Sequence, residues 1–288
     1  MSMTLGELQS HFLPSLAPED FFVILSHLTG QEKVFLLAHP EYPLSAETEA
    51  QARLCLNRRL KHEPVAYLTG HKEFYGRDFL VTPATLIPRP ETEHMVEQVL
   101  IMMKHGEGID IIDIGTGSGN IIITLAKEIE KMYPVSDIQY FALDISEDAL
   151  SVAMNNAVHH DIAKKISFLK SDLLDRFPPP REMNRHVVIT ANLPYLSHRI
   201  YDESDYDVRD YEPKSALESG TDGLDHYRRL LPELAVLREH YLSLTFFLEI
   251  SPEQDKALTA LIRAHLAPTT LQSLSDYSGR SRLIQGTI

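Results

Sequence analysis

With 288 residues, the chain is long enough for one large domain, or for a medium domain and a small one. Apolar residues make up 43% and charged residues 24%, an ordinary globular composition, and the formal charge of −14 argues against stable, phosphate-driven nucleic-acid binding, which needs a basic footprint. No lysine or arginine precedes Lys33 and no apolar run approaches membrane-spanning length, so neither a secretory leader nor a membrane segment is expected, and the expected location is cytoplasmic.

Residues 1–71 read as a run of short helices. Thr4-x-x-Glu7 and Thr29-x-x-Glu32 have the spacing of capping boxes, and Leu5, Leu8 and Phe12 share one helical face. Pro18 can open a second helix, and Ser45 a third that would turn Ala52, Leu56 and Leu60 inward. Cys55, the only cysteine, falls near that face and reads as a buried structural thiol. From Glu73 the pattern changes to two short strands, 73–76 and 78–82, with a turn around Gly76-Arg77. A helical run follows Pro88-Arg-Pro-Glu-Thr-Glu93, with Pro90 near its first turn.

Beyond it, strand-like segments at 109–114, 138–144, 166–171, 187–192 and 244–250 alternate with helices, which calls for a parallel sheet. Segments 269–275 and 282–288, around Ser278-Gly279, read as a terminal antiparallel hairpin. The acidic stretch from Asp202 to Asp210 reads as a solvated, mobile loop. None of the fourteen histidines is paired at three- or four-residue separation, so no metal site is expected.

The first strand of the series leads into Asp113-Ile-Gly-Thr-Gly-Ser-Gly119 and then a helix-like run, Asn120 to Met132. Glycines at 115, 117 and 119 let the backbone approach a ligand and deliver a helix N-terminus to it. A dinucleotide fingerprint would need glycine at Asn120, a Walker loop would need a lysine, and a nucleophile elbow would need glycines at Thr116 and Asn120. The remaining pattern, acidic-x-G-x-G-x-G, resembles the first motif of the Rossmann-like S-adenosylmethionine-dependent methyltransferases. Gly115, Thr116, Gly117, Ser118 and Gly119 are therefore candidate cofactor contacts. Asp144, ending the second strand, is placed to accept two ribose hydroxyls, although a capping role is also open to it. Asp172, after the third strand, could take an adenine amino group, with Leu173 as an apolar wall.

Asn192-Leu-Pro-Tyr195 ends the fourth strand and should face the crevice beyond the strand ends, where ligands bind in open parallel sheets. A planar amide or adenine amino nitrogen is a weak nucleophile that presents N–H donors. The Asn192 side-chain oxygen and the Leu193 carbonyl could accept from it and aim it at a methyl donor, which is catalysis by positioning. Pro194 holds Leu193 extended, and the Tyr195 ring offers a face to the substrate or to a sulfonium cation. Asn192, Pro194 and Tyr195 are thus the catalytic candidates, and Asn192 to Tyr195 the substrate-binding ones.

Across nearly its whole length the chain resembles the HemK/PrmC family, the peptide chain release factor glutamine methyltransferases. The resemblance runs through Glu63-Pro-Val-Ala-Tyr-Leu-Thr-Gly70, Leu86-Ile-Pro-Arg-Pro-Glu-Thr-Glu93, the glycine loop, Leu143-Asp-Ile-Ser146, Asn192-Leu-Pro-Tyr195, Tyr211-Glu-Pro213, Asp222-Gly-Leu224 and Leu248-Glu-Ile250. It implies an α/β fold: a Rossmann-like class I methyltransferase sheet, mostly parallel with a C-terminal antiparallel hairpin, preceded by a small helical N-terminal domain. The divisions would be a helical substrate-recognition domain at 1–71, a β-hairpin linker at 72–87 and the methyltransferase domain at 88–288. It implies S-adenosyl-L-methionine as cofactor, bound by residues 115–119, Asp144, Leu173 and Asn192. The implied protein substrate is the glutamine of a Gly-Gly-Gln loop in class 1 release factors, methylated on its side-chain amide by a monomer. Two departures stand out: Leu193 replaces the proline usual in the tetrapeptide, and Ser251-Pro-Glu-Gln254 replaces a usual glycine. Adenine amino-group methylation of RNA and a non-catalytic S-adenosylmethionine-binding module are the alternatives.

Overall fold

The computed structural model describes residues 3–103, 108–178, 180 and 184–288. In chain order the elements are α1 Leu5–Phe12, α2 Pro18–Thr29, α3 Lys33–Ala38, α4 Ala46–Arg59, α5 Val65–Thr69, β1 His71–Phe74, β2 Arg77–Leu80, α6 Glu93–Met102, β3 Ile109–Ile114, α7 Asn120–Met132, β4 Ile138–Asp144, α8 Glu147–His159, β5 Ile166–Lys170, β6 His186–Ala191, α9 His198–Asp202, α10 Tyr206–Arg209, α11 Asp225–Arg238, β7 Ser243–Glu249, α12 Asp255–Leu266, β8 Thr270–Ser275 and β9 Ser281–Thr287. Among the described residues no helix is long and apolar enough to cross a membrane.

The chain divides into two compact units, Met1–His71 with Asp205–Tyr211, and Lys72–Ser204 with Glu212–Ile288. In the first unit Thr4 caps α1 in a full capping box with Glu7, Pro18 opens α2, and Ser45 caps α4 by accepting from the Thr48 N–H at 3.0 Å. The core of this unit is Leu5, Leu8, Phe12, Phe21, Phe22, Ile24, Leu25, Leu36, Leu44, Ala52 and Leu56. Each large side chain buried there contributes about 1.5–3 kcal/mol. Cys55 is buried beside it, and burial pushes its thiol pKa up.

Three expectations for this unit need correction. Thr29-x-x-Glu32 is not a capping box: Thr29 ends α2, where its hydroxyl donates back to the Leu25 carbonyl, and the chain turns at Gly30 before Glu32 starts α3 without a side-chain cap. Leu60 is not inward, because α4 stops at Arg59 and leaves Leu60 37% exposed. The stretch 202–210 is not a free loop. It forms the ends and turns of α9 and α10, and Asp207 pairs with Arg59 at 2.7 Å while Asp20 holds the same guanidinium, also at 2.7 Å. A largely buried arginine needs such carboxylate partners, and the requirement orders the acidic segment.

In the second unit seven strands pair in the order β5-β4-β3-β6-β7-β9-β8. The pairs among β3 to β7 are parallel, and β9 is antiparallel to both β7 and β8. The chain runs outward from β3 through β4 and β5, then returns to β6 on the other side of β3. That reversal is the switch point at which open sheets bind ligands. The central strands are apolar and β-branched, as burial on both faces requires. The two aspartates of β3 are exceptions, each held by partners: Asp110 by Arg185 at 2.6 Å and Tyr241 at 2.8 Å, and Asp113 by Thr116 and Thr190.

Strand β1 lies two residues earlier than expected and β2 starts one earlier, with the turn one residue earlier at Tyr75-Gly76, where Tyr75 and Gly76 both take positive φ. Phe74 and Phe79 are buried in the second unit's core, and Asn156 of α8 bonds both the N–H and the carbonyl of Leu80. Residues 72–80 are therefore packed structure. Between β5 and β6 the described residues form turns where a helix is expected; that link also contains 179 and 181–183, which lie outside the described residues.

Candidate active site

A cavity of about 300 Å³ opens at the carboxyl ends of β3, β4 and β6, large enough for a small ligand. Its lining brings together Gly115, Thr116, Gly117, Ser118, Asp144, Asp172, Leu173, Asn192, Leu193 and Pro194 from the sequence candidates. Gly119 stands just behind, at the N-cap of α7. Tyr195 is outside the lining, its hydroxyl donating to Glu249 Oε1 at 3.4 Å.

The glycine loop takes its shape from φ values of 71° at Gly115, 55° at Gly117 and 79° at Gly119, a region where side chains are strained. A Cβ at Gly117 would meet nothing within 4 Å, so its backbone faces open space. Asp113 braces the loop from beneath, accepting from the Thr116 hydroxyl at 2.7 Å and the Thr190 hydroxyl at 2.8 Å. Full burial pushes its pKa up to about 6 against those two hydrogen bonds.

Asp144 accepts from the Gly117 N–H through one carboxylate oxygen and from the Ser146 N–H through the other, both at 2.9 Å. Ser146 caps α8 by accepting from the Ala149 N–H, which leaves Asp144 free of the capping role. Each of its oxygens retains acceptor capacity for a hydroxyl. Burial raises its pKa, opposed by the backbone donors of Ser146 and Gly117. Across the cavity, Asp172 pairs with Arg229 at 2.7 Å, and Leu173 is buried with a φ of 52°, unusual for a bulky residue.

At the end of β6, the Asn192 Nδ2 donates to the Thr92 hydroxyl at 3.1 Å, which directs Oδ1 away from that contact. The Leu193 side chain packs against the loop; a Cβ on Gly115 would lie 3.1 Å from its Cδ2. The buried Tyr227 hydroxyl, close to the N–H that leucine restores, donates to the Glu249 carbonyl. At the second departure, Ser251 and Gln254 form a capping box around the turn, and Gln254 Nε2 donates to the Tyr195 carbonyl at 2.7 Å and the Asp222 carbonyl at 3.0 Å. The second departure is thus accommodated by side-chain bonds.

Sequence reasoning assigned no role to Thr92, Glu212, Tyr227, Glu249 or Gln254. Thr92, Glu212 and Glu249 lie within segments that carried the family resemblance, and that was the available signal. Glu212 joins two of those segments, accepting from the Arg89 guanidinium and, at 3.0 Å, from the Ile87 N–H. Arg89, Thr92 and Pro213 line the cavity above the glycine loop.

These residues fit S-adenosylmethionine: the space beside Gly117 can admit its amino-acid part, Asp144 can hold a ribose, and Leu173 offers an apolar surface to a ring.

Residues 11–70 match the PrmC N-terminal domain, and residues 105–203 match a methyltransferase domain. The fold is similar to the hMettl16 catalytic domain in complex with MAT2A 3′UTR hairpin 1, with a TM-score of 0.55 at 14% identity over 94% of this chain and 91% of that one. It is also similar to the N-terminal domain of human METTL16 in complex with SAH, with a TM-score of 0.51 at 15% identity over 94% of both chains. At such identities the likeness is one of fold. Sequence relatives are nearer. The release factor glutamine methyltransferase of Moorella thermoacetica is 40% identical over 90% of this chain and 87% of its own length. That of Koribacter versatilis is 40% identical over 77% and 74%, and that of Bacillus subtilis 32% identical over 91% and 88%. A class I methyltransferase sheet, a helical first unit matching the PrmC N-terminal domain and relatives of this identity place the chain in the release factor glutamine methyltransferase family.

Proposed function

We infer that this chain transfers a methyl group from S-adenosyl-L-methionine to the side-chain amide nitrogen of a release-factor glutamine, the one in the Gly-Gly-Gln loop of class 1 factors. The observation that carries the chemistry is the Asn192 amide, tied by Nδ2 to Thr92 with Oδ1 left to accept beside the glycine loop. S-adenosylmethionine, when bound, supplies a methyl on a sulfonium. The protein's own part is to hold and aim the acceptor. Asn192 Oδ1 and the Leu193 carbonyl take the two amide hydrogens, fixing the orientation of the nitrogen and aiming it at the methyl. No general base is required, because the amide proton becomes acidic as nitrogen bonds carbon and then passes to water. Tyr195 supports the tetrapeptide through its hydroxyl and, by Gln254, through its carbonyl.

The first unit is the release-factor recognition module in this reading. Val34 and Leu37 on the short α3 are 74% and 54% exposed, apolar surface suited to a protein partner. The −14 charge is consistent with a protein substrate and no stable nucleic-acid binding. The enzyme works in the cytoplasm as a monomer. Labelled methyl transfer to a purified release factor, compared with its loop Gln→Ala variant and with ribosomal RNA, tests the reading. Label on the glutamine alone is expected, and label on RNA with none on the factor would overturn it.

A further inference from the structure

Helix α11 contributes two side chains to the cavity wall that the proposed chemistry does not use, His226 and, one turn on, Arg229. Arg229 Nη2 donates to Asp172 Oδ2 at 2.7 Å, which holds that carboxylate beside α11 and leaves Oδ1 to accept from a ligand. His226 is half-buried and meets Ser219 twice: the Ser219 hydroxyl lies 2.7 Å from the ring Nδ1 and accepts from the His226 backbone N–H at 3.1 Å. No hydrogen bond among the described residues engages Nε2, on the other side of the ring.

Ser219 is 2% exposed, so its hydroxyl proton needs a partner inside the protein, and Nδ1 is the acceptor within reach among the described residues. Were Nδ1 to donate instead, the hydroxyl would accept twice and its own proton would be stranded. Burial lowers the His226 pKa and the Arg229 guanidinium adds to this, against the Asp172 and Asp225 carboxylates, so the ring is neutral near pH 7. A neutral ring whose Nδ1 accepts carries its proton on Nε2. The cavity wall therefore offers an acceptor, Asp172 Oδ1, and a donor, His226 Nε2–H, with the apolar Leu173 beside them. This pair complements adenine, in which an amino group stands next to a bare ring nitrogen. Hypoxanthine and guanine reverse the pattern, with an oxygen next to a protonated nitrogen. We propose that His226 is a specificity-determining cofactor contact: its Nε2–H donates to the adenine ring nitrogen beside the amino group that Asp172 accepts, and Ser219 sets the tautomer that allows it. The inference rests on reading this cavity as the S-adenosylmethionine site with the ribose on Asp144.

The test is calorimetric titration of the full-length protein with S-adenosylhomocysteine and, by competition, with S-inosylhomocysteine. In the second ligand an oxygen replaces the amino group and the neighbouring nitrogen carries a proton. The unmodified protein should prefer S-adenosylhomocysteine by about 100-fold or more. His226→Phe keeps a ring but no donor, and should weaken S-adenosylhomocysteine about three- to tenfold. It should leave S-inosylhomocysteine unchanged or tighter, because an opposition of two N–H groups is removed. His226→Gln, whose amide can place an N–H at similar reach, should stay within about threefold of the unmodified protein for S-adenosylhomocysteine. Unchanged S-adenosylhomocysteine affinity in His226→Phe, or an equal loss for both ligands, would overturn the proposal. Should His226→Phe fold poorly, Ser219→Ala decides by the same comparison: it releases the tautomer with the ring in place, and should weaken S-adenosylhomocysteine alone, about two- to fivefold. Asp144→Ala separates the proposal from the site reading, since both ligands share the ribose and both should weaken. If neither weakens, the cavity is not the cofactor site.

Discussion

Glu212 and Arg89, 123 residues apart in the chain, form an ion pair whose carboxylate is almost wholly buried and whose second oxygen accepts from the Ile87 N–H. The pair joins the Pro88-Arg-Pro segment to Glu212-Pro213, both of which contribute residues to the cavity lining. Removing one partner of such a pair leaves a buried charge without compensation, at a cost of about 3–5 kcal/mol. Arg89→Met should therefore lower the urea midpoint markedly. Glu212→Gln in the same chain keeps an acceptor for Ile87 without the charge, and should recover much of the loss. Equal stability of Arg89→Met and the unmodified protein would show that the pair contributes little.

Asp144 is expected to dominate cofactor affinity. Asp144→Ala removes an acceptor for charge-assisted bonds worth about 1.5–3 kcal/mol, or about ten- to a hundredfold in binding. Calorimetric titration with S-adenosylhomocysteine measures this. Unchanged affinity in a folded variant would remove Asp144 from the site.

Leu193→Pro restores the residue usual in the tetrapeptide and keeps its carbonyl, so methylation should stay within about tenfold of the unmodified rate. The substitution deletes the N–H that lies near the Tyr227 hydroxyl. Its stability cost should therefore shrink in a Tyr227→Phe background, with a coupling of about 0.5–1.5 kcal/mol in a double-mutant cycle. Strict additivity would mean that the two groups do not interact.

Stability should respond to pH through Glu249. Its folded pKa, about 7, lies above the ordinary carboxylate value of 4.5, so the native state binds the extra proton. The stabilisation is complete below about pH 4.5 and is lost as pH rises through 7. The groups facing it are Arg282, Glu91, Thr92, Tyr195 and, from α11, Tyr227. Glu249→Gln does not titrate, so its melting temperature relative to the unmodified protein should rise between pH 5 and pH 8. The full difference corresponds to about 3 kcal/mol. A constant offset across that range would place the Glu249 pKa near its ordinary value.

Truncation should separate hairpin from recognition module. A chain beginning at Lys72 retains Phe74 and Phe79 and should bind S-adenosylhomocysteine while methylating the release factor poorly. One beginning at Ile87 exposes the core surface those rings cover and should aggregate, which light scattering will report. Full methylation by the Lys72 chain would show that recognition does not need the first unit.

Strands β3 and β4 were legible to the residue because β-branched runs end in turn residues, and the remaining sheet strands fell within a residue or so. The hairpin was displaced by one to two positions because Tyr75 takes positive φ, a conformation that its identity does not announce. The acidic stretch 202–210 looked solvated because its organising partner, Arg59, lies 148 residues from Asp207. Residues that touch the cavity from the glycine loop and from Asn192 to Pro194 were recognisable by chemistry. Those that hold them, Thr92, Glu249, Tyr227 and Gln254, were not, since a supporting contact exists only after distant segments meet.

In the sheet, Ile114 pairs with Ala191, so Gly115 and Asn192 leave β3 and β6 from the same rung. Neighbouring strands lie about 4.8 Å apart, and the gap between the glycine loop and the Asn192 tetrapeptide is therefore a lattice constant of the backbone. Lengthening a surface loop cannot stretch it. Changes of cavity shape can instead come from the lining around Arg89 and Pro213, which leaves that spacing untouched.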